Sequence, residues 1–393
     1  MKKIVLIFLW GFTTIGFSQK IDFNQGSVHP KSYLEEIAFE LIFDKIILPV
    51  QINDKTYRFL LDTGAPNLIS YELYDDIQAQ KIKKVVASDA NENKDSLKIA
   101  VLESVKIGTI EYKNTLSLVS DLKNHPVLKC YNIDGFIGSN LLKNSVLKIS
   151  LTTNTITLTD NVKRLQPSSK PQKLKLIGDQ RAPYITVHFQ GNDNKLASES
   201  LLIDTGMDGF YDMSTRAFSI LSKENIYFKE IAKSKGAADM GLFGVANESE
   251  HAMISIHKMK IGNTMFKQVI ASTTEDNNSR LGLDMFLHGD GIIDFKNKKF
   301  YFEAPQEKIW DKSPPKLNPT FINDTFVVGF VWDEELQKIV SYGDEILKIN
   351  QQSLSEMNVC EIIAERKNRP KDEAFDLEIK TKEDQIIIIT IQP

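Results

Sequence analysis

Residues 59–70 read FLLDTGAPNLIS. Three apolar residues run directly into an aspartate, and Thr63-Gly64 turns the chain at once. A lone carboxylate in ground that its neighbours mark as buried is costly unless something pairs with it or takes up its proton. Asp62 therefore requires a partner. Residues 201–214, LLIDTGMDGFYDMS, repeat the arrangement around Asp204.

The repeat extends outward from both motifs. Ile46, Leu48, Val50 and Ile52 alternate toward a turn at Asn53-Asp54, and Tyr57, Phe59 and Leu61 alternate back to Asp62. That pattern predicts a hairpin delivering an acid at a strand end. Ile185, Val187 and Phe189, the turn GNDN at 191–194 and the run LLI do the same for Asp204. Downstream, VKIGTIEYKN (105–114) matches MKIGNTMFKQ (259–268). DGFIGSNLLKNSVLKISLTTNTITL (134–158) parallels SRLGLDMFLHGDGIIDFKNKKFYF (279–302), each with a glycine (Gly138, Gly282) before an apolar turn and a hairpin. The hairpin tips are expected at Thr153-Asn154 and Lys296-Asn297. A single DTG is weak evidence; a duplicated one in matching surroundings is strong.

Two carboxylates a few ångströms apart cannot both ionise cheaply, so one holds a proton that the other lacks. The ionised member can deprotonate a water between them while the protonated member donates to a carbonyl. Gly64 and Gly206 allow close backbone approach, and the hydroxyls of Thr63 and Thr205 are placed to bond across an interface. The chemistry expected is amide hydrolysis without a covalent intermediate.

On FLLDTGA, DGFIGSNLL, LLIDTG and RLGLDMF, residues from about 40 to 305 resemble the retropepsin-like and pepsin-like aspartic peptidases, in a single-chain, two-lobe form. The resemblance implies a mainly β, pseudo-dimeric barrel-like fold, catalytic aspartates at Asp62 and Asp204, and support from Thr63, Gly64, Ala65, Thr205 and Gly206. It also implies β-hairpin flaps over a cleft for an extended peptide. The flap segments expected are ASDANENKD (87–95), with Asp89 and Ala90, and KGAADMGLFGVAN (235–247), with Gly236 and Gly241; surface loops are the alternative for both. One departure stands out. Ala65 follows the first motif, whereas Met207 and Asp208 follow the second, which would crowd the pair and add a third acid.

The first stretch, MKKIVLIFLWGFTTIGFSQK, has two lysines, a short apolar run and small residues near Ser18. It predicts a leader over 1–18, cleaved on export, rather than a spanning anchor, which needs roughly 20 apolar residues. The expected location is secreted or periplasmic. With 393 residues and 25% charged, the chain has room for two or three domains. Its formal charge of -4 gives no reason to expect nucleic acid or, once the leader is gone, a membrane as partner. The two cysteines, Cys130 and Cys360, fall in different expected domains and are expected to be free thiols. Six scattered histidines without HExxH or CxxC give no basis for a metal or other cofactor.

The division expected is a first lobe over 19–165, a second over 166–310, a proline-bearing linker DKSPPKLNP over 311–319 and a C-terminal domain over 320–393. That tail resembles a PDZ domain, most specifically in YGDEILKINQQSL (342–354). Ser353 and Glu356 predict a capping box opening a helix that runs to about Lys367, with Met357, Cys360 and Ile363 on its inner face. Two roles stand open for it: peptide capture by strand addition, or support of the lobes. For the whole chain, a catalytically inactive peptide-binding protein is the alternative to an endopeptidase.

Overall fold

The computed structural model describes residues 22–238, 240–310, 312–370 and 373–392; the leader expected over 1–18 lies outside them. The hairpins form where the alternation places them. Strand Lys45–Ile52 pairs antiparallel with Lys55–Asp62, and Ala182–Gln190 with Leu196–Ile203. Asn53 and Asp54 both take positive φ, a conformation that short polar side chains tolerate in tight turns.

Each half then threads a short segment beside its acid. Gly135–Gly138 pairs parallel with Lys55–Asp62, setting Gly138 opposite Asp62, and antiparallel with Leu68–Ser70. In the second half Arg280–Leu281 pairs parallel with Leu196–Ile203 and antiparallel with Tyr211–Ser214. The halves join through a shared antiparallel sheet, where Val146–Ser150 pairs with Asp290–Asp294. Gln172–Ile177 flanks that sheet on one side and Leu34–Ala38 on the other. Core side chains from both halves, including Leu61, Ile137, Ile203 and Leu281, merge into one apolar cluster beneath the joint.

The C-terminal sheet begins earlier than the sequence suggests. Strand Leu317–Ile322 takes in the last residues of the expected linker, with Pro319 at an irregularity in its pairing with Thr325–Val331, a place where a missing N–H is tolerated. The helix spans Val359–Asn368, and its capping box is Asn358 with Glu361, not Ser353 with Glu356. Asn358 Oδ1 accepts from the N–H groups of Cys360 and Glu361, and Glu361 Oε2 accepts from Asn358 N–H. Ser353 is unavailable for capping because Gln352–Ser353 pairs as a strand with Lys348 and Ile349.

The cysteines also differ from expectation. Cys130 and Cys360 form a disulfide, with sulfurs 2.04 Å and Cα atoms 5.0 Å apart. Assignment to separate domains argued for free thiols, but the C-terminal helix lies against the turn Leu128–Tyr131 of the first half. Phe43, Val127 and Met240 from the preceding halves pack on the C-terminal core around Phe326, Val328 and Ile362.

Candidate active site

Asp62 ends its strand and Asp204 directly follows the matching one, so both acids arrive where the halves meet. Two fully buried threonines lock that meeting. Thr63 N–H donates to Thr205 Oγ1 (3.0 Å) and Thr205 N–H to Thr63 Oγ1 (3.1 Å). The hydroxyls in turn donate crosswise, Thr63 to the Ile203 carbonyl (2.7 Å) and Thr205 to that of Leu61 (2.8 Å). Each hydroxyl is satisfied as donor and acceptor by the opposite half, and the arrangement is twofold in its logic.

The carboxyls converge as a result. A Cβ built on Gly64 would stand 2.7 Å from the Asp204 carboxyl, and one on Gly206 would stand 2.5 Å from that of Asp62. Only glycine leaves room for each acid against the other half's turn. Asp62 Oδ1 accepts from Gly64 N–H (2.9 Å) and Ala65 N–H (3.0 Å). Asp204 Oδ1 accepts from Gly206 N–H (3.0 Å), while Met207 N–H turns to the Asp204 backbone carbonyl instead. Burial, reinforced by the charge of Asp204, pushes the Asp62 carboxyl up to about 7, against the N–H groups of Ala65 and Gly64 and the charge of Lys45. A carboxyl so raised can serve as a proton donor near neutrality.

Asp208 does not act as a third acid in this pair. Its oxygens are taken by the ammonium groups of Lys45 and Lys367, and Lys45 also donates to the Gly206 carbonyl. Crowding opposes its ionisation, but the two lysines outweigh it and hold its carboxyl below the usual range. Lys367 comes from the C-terminal helix and also binds Asp44. The departure at Met207-Asp208 is therefore part of a contact between the second motif and the C-terminal module.

The two expected flaps touch. Asp89 Oδ2 accepts from Phe243 N–H (2.8 Å), and Asn91 Nδ2 donates to the Gly244 carbonyl (3.2 Å). Asp89 Oδ1 meanwhile closes its own turn by accepting from the N–H groups of Asn91 and Asn93, which leaves Ala90 in the tip between them. Gly241 backs onto Asp89, where a Cβ would meet its Oδ2 at 2.3 Å. Gly236 lies elsewhere, at the end of strand Phe228–Gly236 against the Gly329 carbonyl of the C-terminal sheet. Val331 N–H donates to Ser234 Oγ (2.9 Å) beside it, so the C-terminal module braces the base of the second hairpin.

Residues that the sequence reading passed over are Lys45, Lys367 and Arg280. Arg280 is 8% exposed, with Nη1 3.7 Å from Asp204 Oδ2 and Nε 3.6 Å from Asp276 Oδ2. Aligning the repeats would have flagged it, since Phe136 holds the matching place two residues before Gly138. Nothing local marks the two lysines. Among the described residues no group of histidine, cysteine, aspartate and glutamate side chains is arranged to hold a metal.

A family model described as aspartyl protease matches residues 48–141, the stretch holding Asp62, the first expected flap and Gly138. No curated protein matches the chain. Among solved structures, an aspartic proteinase from Irpex lacteus is similar at 14% identity, covering 69% of this chain and 97% of that one, with a TM-score of 0.42. The chain thus carries an aspartyl-protease-like segment within a mainly β fold.

Proposed function

We propose that this chain is an exported aspartic endopeptidase that hydrolyses peptide bonds with a water activated between Asp62 and Asp204. The convergence of the two carboxyls across the threonine-locked joint carries the reading. One carboxyl, ionised, takes a proton from the water; the other, protonated, donates to the scissile carbonyl. The joined hairpin tips, on this reading, shield the site from bulk water and keep these interactions strong. In this reading residues 19–165 and 166–310 are the two lobes, and the hairpins tipped by Asp89 and Gly241 open to admit an extended peptide. The C-terminal module is PDZ-like and serves first as a brace, given its disulfide to the first half and its contact with the second hairpin.

The test is hydrolysis of a broad peptide library by the wild type beside Asp62→Asn and Asp204→Asn. Cleavage by the wild type and its loss in both variants is expected, because an amide neither shares the proton nor activates water. Peptide binding without hydrolysis would instead identify an inactive binding protein, and cleavage surviving both substitutions would remove the dyad from the account.

A further inference from the structure

Among the differences between the repeats, one sets a charge against the acids. In the first half Phe136, opposite Leu60, packs with Leu68, Leu97 and Tyr131 in an apolar cluster. In the second half the corresponding residue is Arg280, opposite Leu202. Side chains alternate along a strand, so with Leu281 in the core Arg280 points the other way, toward Asp204. A nearly buried guanidinium therefore stands beside Asp204, whereas the matching place in the first half holds an aromatic ring packed in an apolar cluster.

The groups around Asp204 decide what that charge does. They are Asp62 from the first half, Arg280 and Asp276 from the segment beside it, and Tyr184 from strand Ala182–Gln190. Burial pushes the Asp276 carboxyl up, against the pull of Arg280 and the bonds from Asn278, which weakens its competition for the guanidinium. Burial pushes the Tyr184 hydroxyl up to about 12, so it stays neutral throughout the working range. On the other side Lys45 is committed to Asp208 and the Gly206 carbonyl. The two backbone N–H groups on Asp62 and the charge of Lys45 favour its ionised form, but burial and the charge of Asp204 outweigh them.

On the reading of the chain as an aspartic peptidase, we propose that Arg280 is a positioning residue that assigns the negative charge of the dyad to Asp204 and the shared proton to Asp62. Asp204 then accepts a proton from water as the water oxygen bonds to the scissile carbon. The carbonyl π pair moves onto its oxygen, which takes the proton of Asp62. Asp204 next returns its proton to the amide nitrogen as the C–N bond breaks, and one hydroxyl of the gem-diol gives its proton back to Asp62 as the carboxylic acid forms. The dyad ends as it began.

The experiment compares full-length wild type, Arg280→Met and Arg280→Lys. In the pH profile of kcat/KM the acid limb should move up by about one to three pH units in Arg280→Met, the shift an adjacent arginine exerts on an aspartate, and return toward wild type in Arg280→Lys. A lower profile with unmoved limbs would mark a merely structural role and overturn the proposal. A second measurement does not depend on turnover. With ¹³Cγ-labelled aspartate, the Asp204 resonance is followed by pH titration in Asp62→Asn and in Asp62→Asn/Arg280→Met. Its midpoint should rise by about one to three pH units when the arginine is lost; an unchanged midpoint overturns the assignment. That result holds whether or not peptides are cleaved, so it separates failure of this inference from failure of the peptidase reading. If Arg280→Met does not fold, Arg280→Gln, uncharged but polar, takes its place in both measurements.

Discussion

Thr63→Val keeps the shape of the side chain and removes its hydroxyl. Two bonds go: the donation to the Ile203 carbonyl at 2.7 Å and the acceptance from Thr205 N–H at 3.1 Å. Both orphaned groups are sealed from water, since Thr63, Thr205 and Ile203 are all fully buried. A buried polar group left unpaired costs about 1–3 kcal/mol, so the substitution should cost about 2–6 kcal/mol. Against a folded-state stability of about 5–15 kcal/mol that is a large share. Thr63→Ser keeps both bonds and loses one methyl, for about 1 kcal/mol. The double variant Thr63→Val/Thr205→Val should cost less than twice the single, because once one pair of bonds is gone the joint can loosen and admit water to the other. Urea unfolding followed by tryptophan fluorescence gives the stabilities, and peptide hydrolysis measured below the transition shows whether the carboxyls still meet. Stability of Thr63→Val within about 0.5 kcal/mol of Thr63→Ser would refute the reasoning, because the two differ at this site chiefly in the hydroxyl.

Three further outcomes are expected. Replacing Cys130 and Cys360 by serine opens a loop with a sequence separation of 230; chain entropy puts the loss at up to about 5 kcal/mol, read as a lower urea midpoint, and an unchanged midpoint would mean the docked C-terminal module holds without the bridge. Gly206→Ala sets a methyl 2.5 Å from the Asp62 carboxyl, so hydrolysis should fall at least about tenfold, the effect of roughly 1.4 kcal/mol lost from the transition state, with near wild-type circular dichroism; undiminished kcat would show that the carboxyl can move aside. For Asp62→Asn the sign follows from the raised carboxyl: between about 4 and about 7 the folded state keeps a proton that the unfolded chain has lost, so wild-type stability declines as pH rises through that window. The asparagine variant cannot titrate and should gain roughly 2–4 kcal/mol over the wild type on going from pH 4 to pH 8; parallel pH–stability curves for the two proteins would contradict it.

The local parts of this molecule are legible in its residues because their causes are local. Alternation with period two and turn chemistry at Asn53-Asp54 and 191–194 place the hairpins. The duplicated DTG identifies Asp62 and Asp204 as partners because burying an acid twice in the same surroundings calls for mutual compensation. Reading the tail as a separate unit misplaced its first strand and its capping box, since S-x-x-E at 353 and N-x-x-E at 358 are equivalent until strand pairing claims Ser353.

Docking is what decided the rest. Whether Cys130 meets Cys360, whether Asp208 is a free third acid or is held by Lys45 and Lys367, and whether Arg280 faces Asp204 depend on how whole sheets settle against one another. Those contacts join residues far apart in the chain and leave no periodicity behind. The sequence by itself determined which acids needed each other; the tertiary structure decided which charges surround them, because electrostatic fields follow distance in space and not order along the chain.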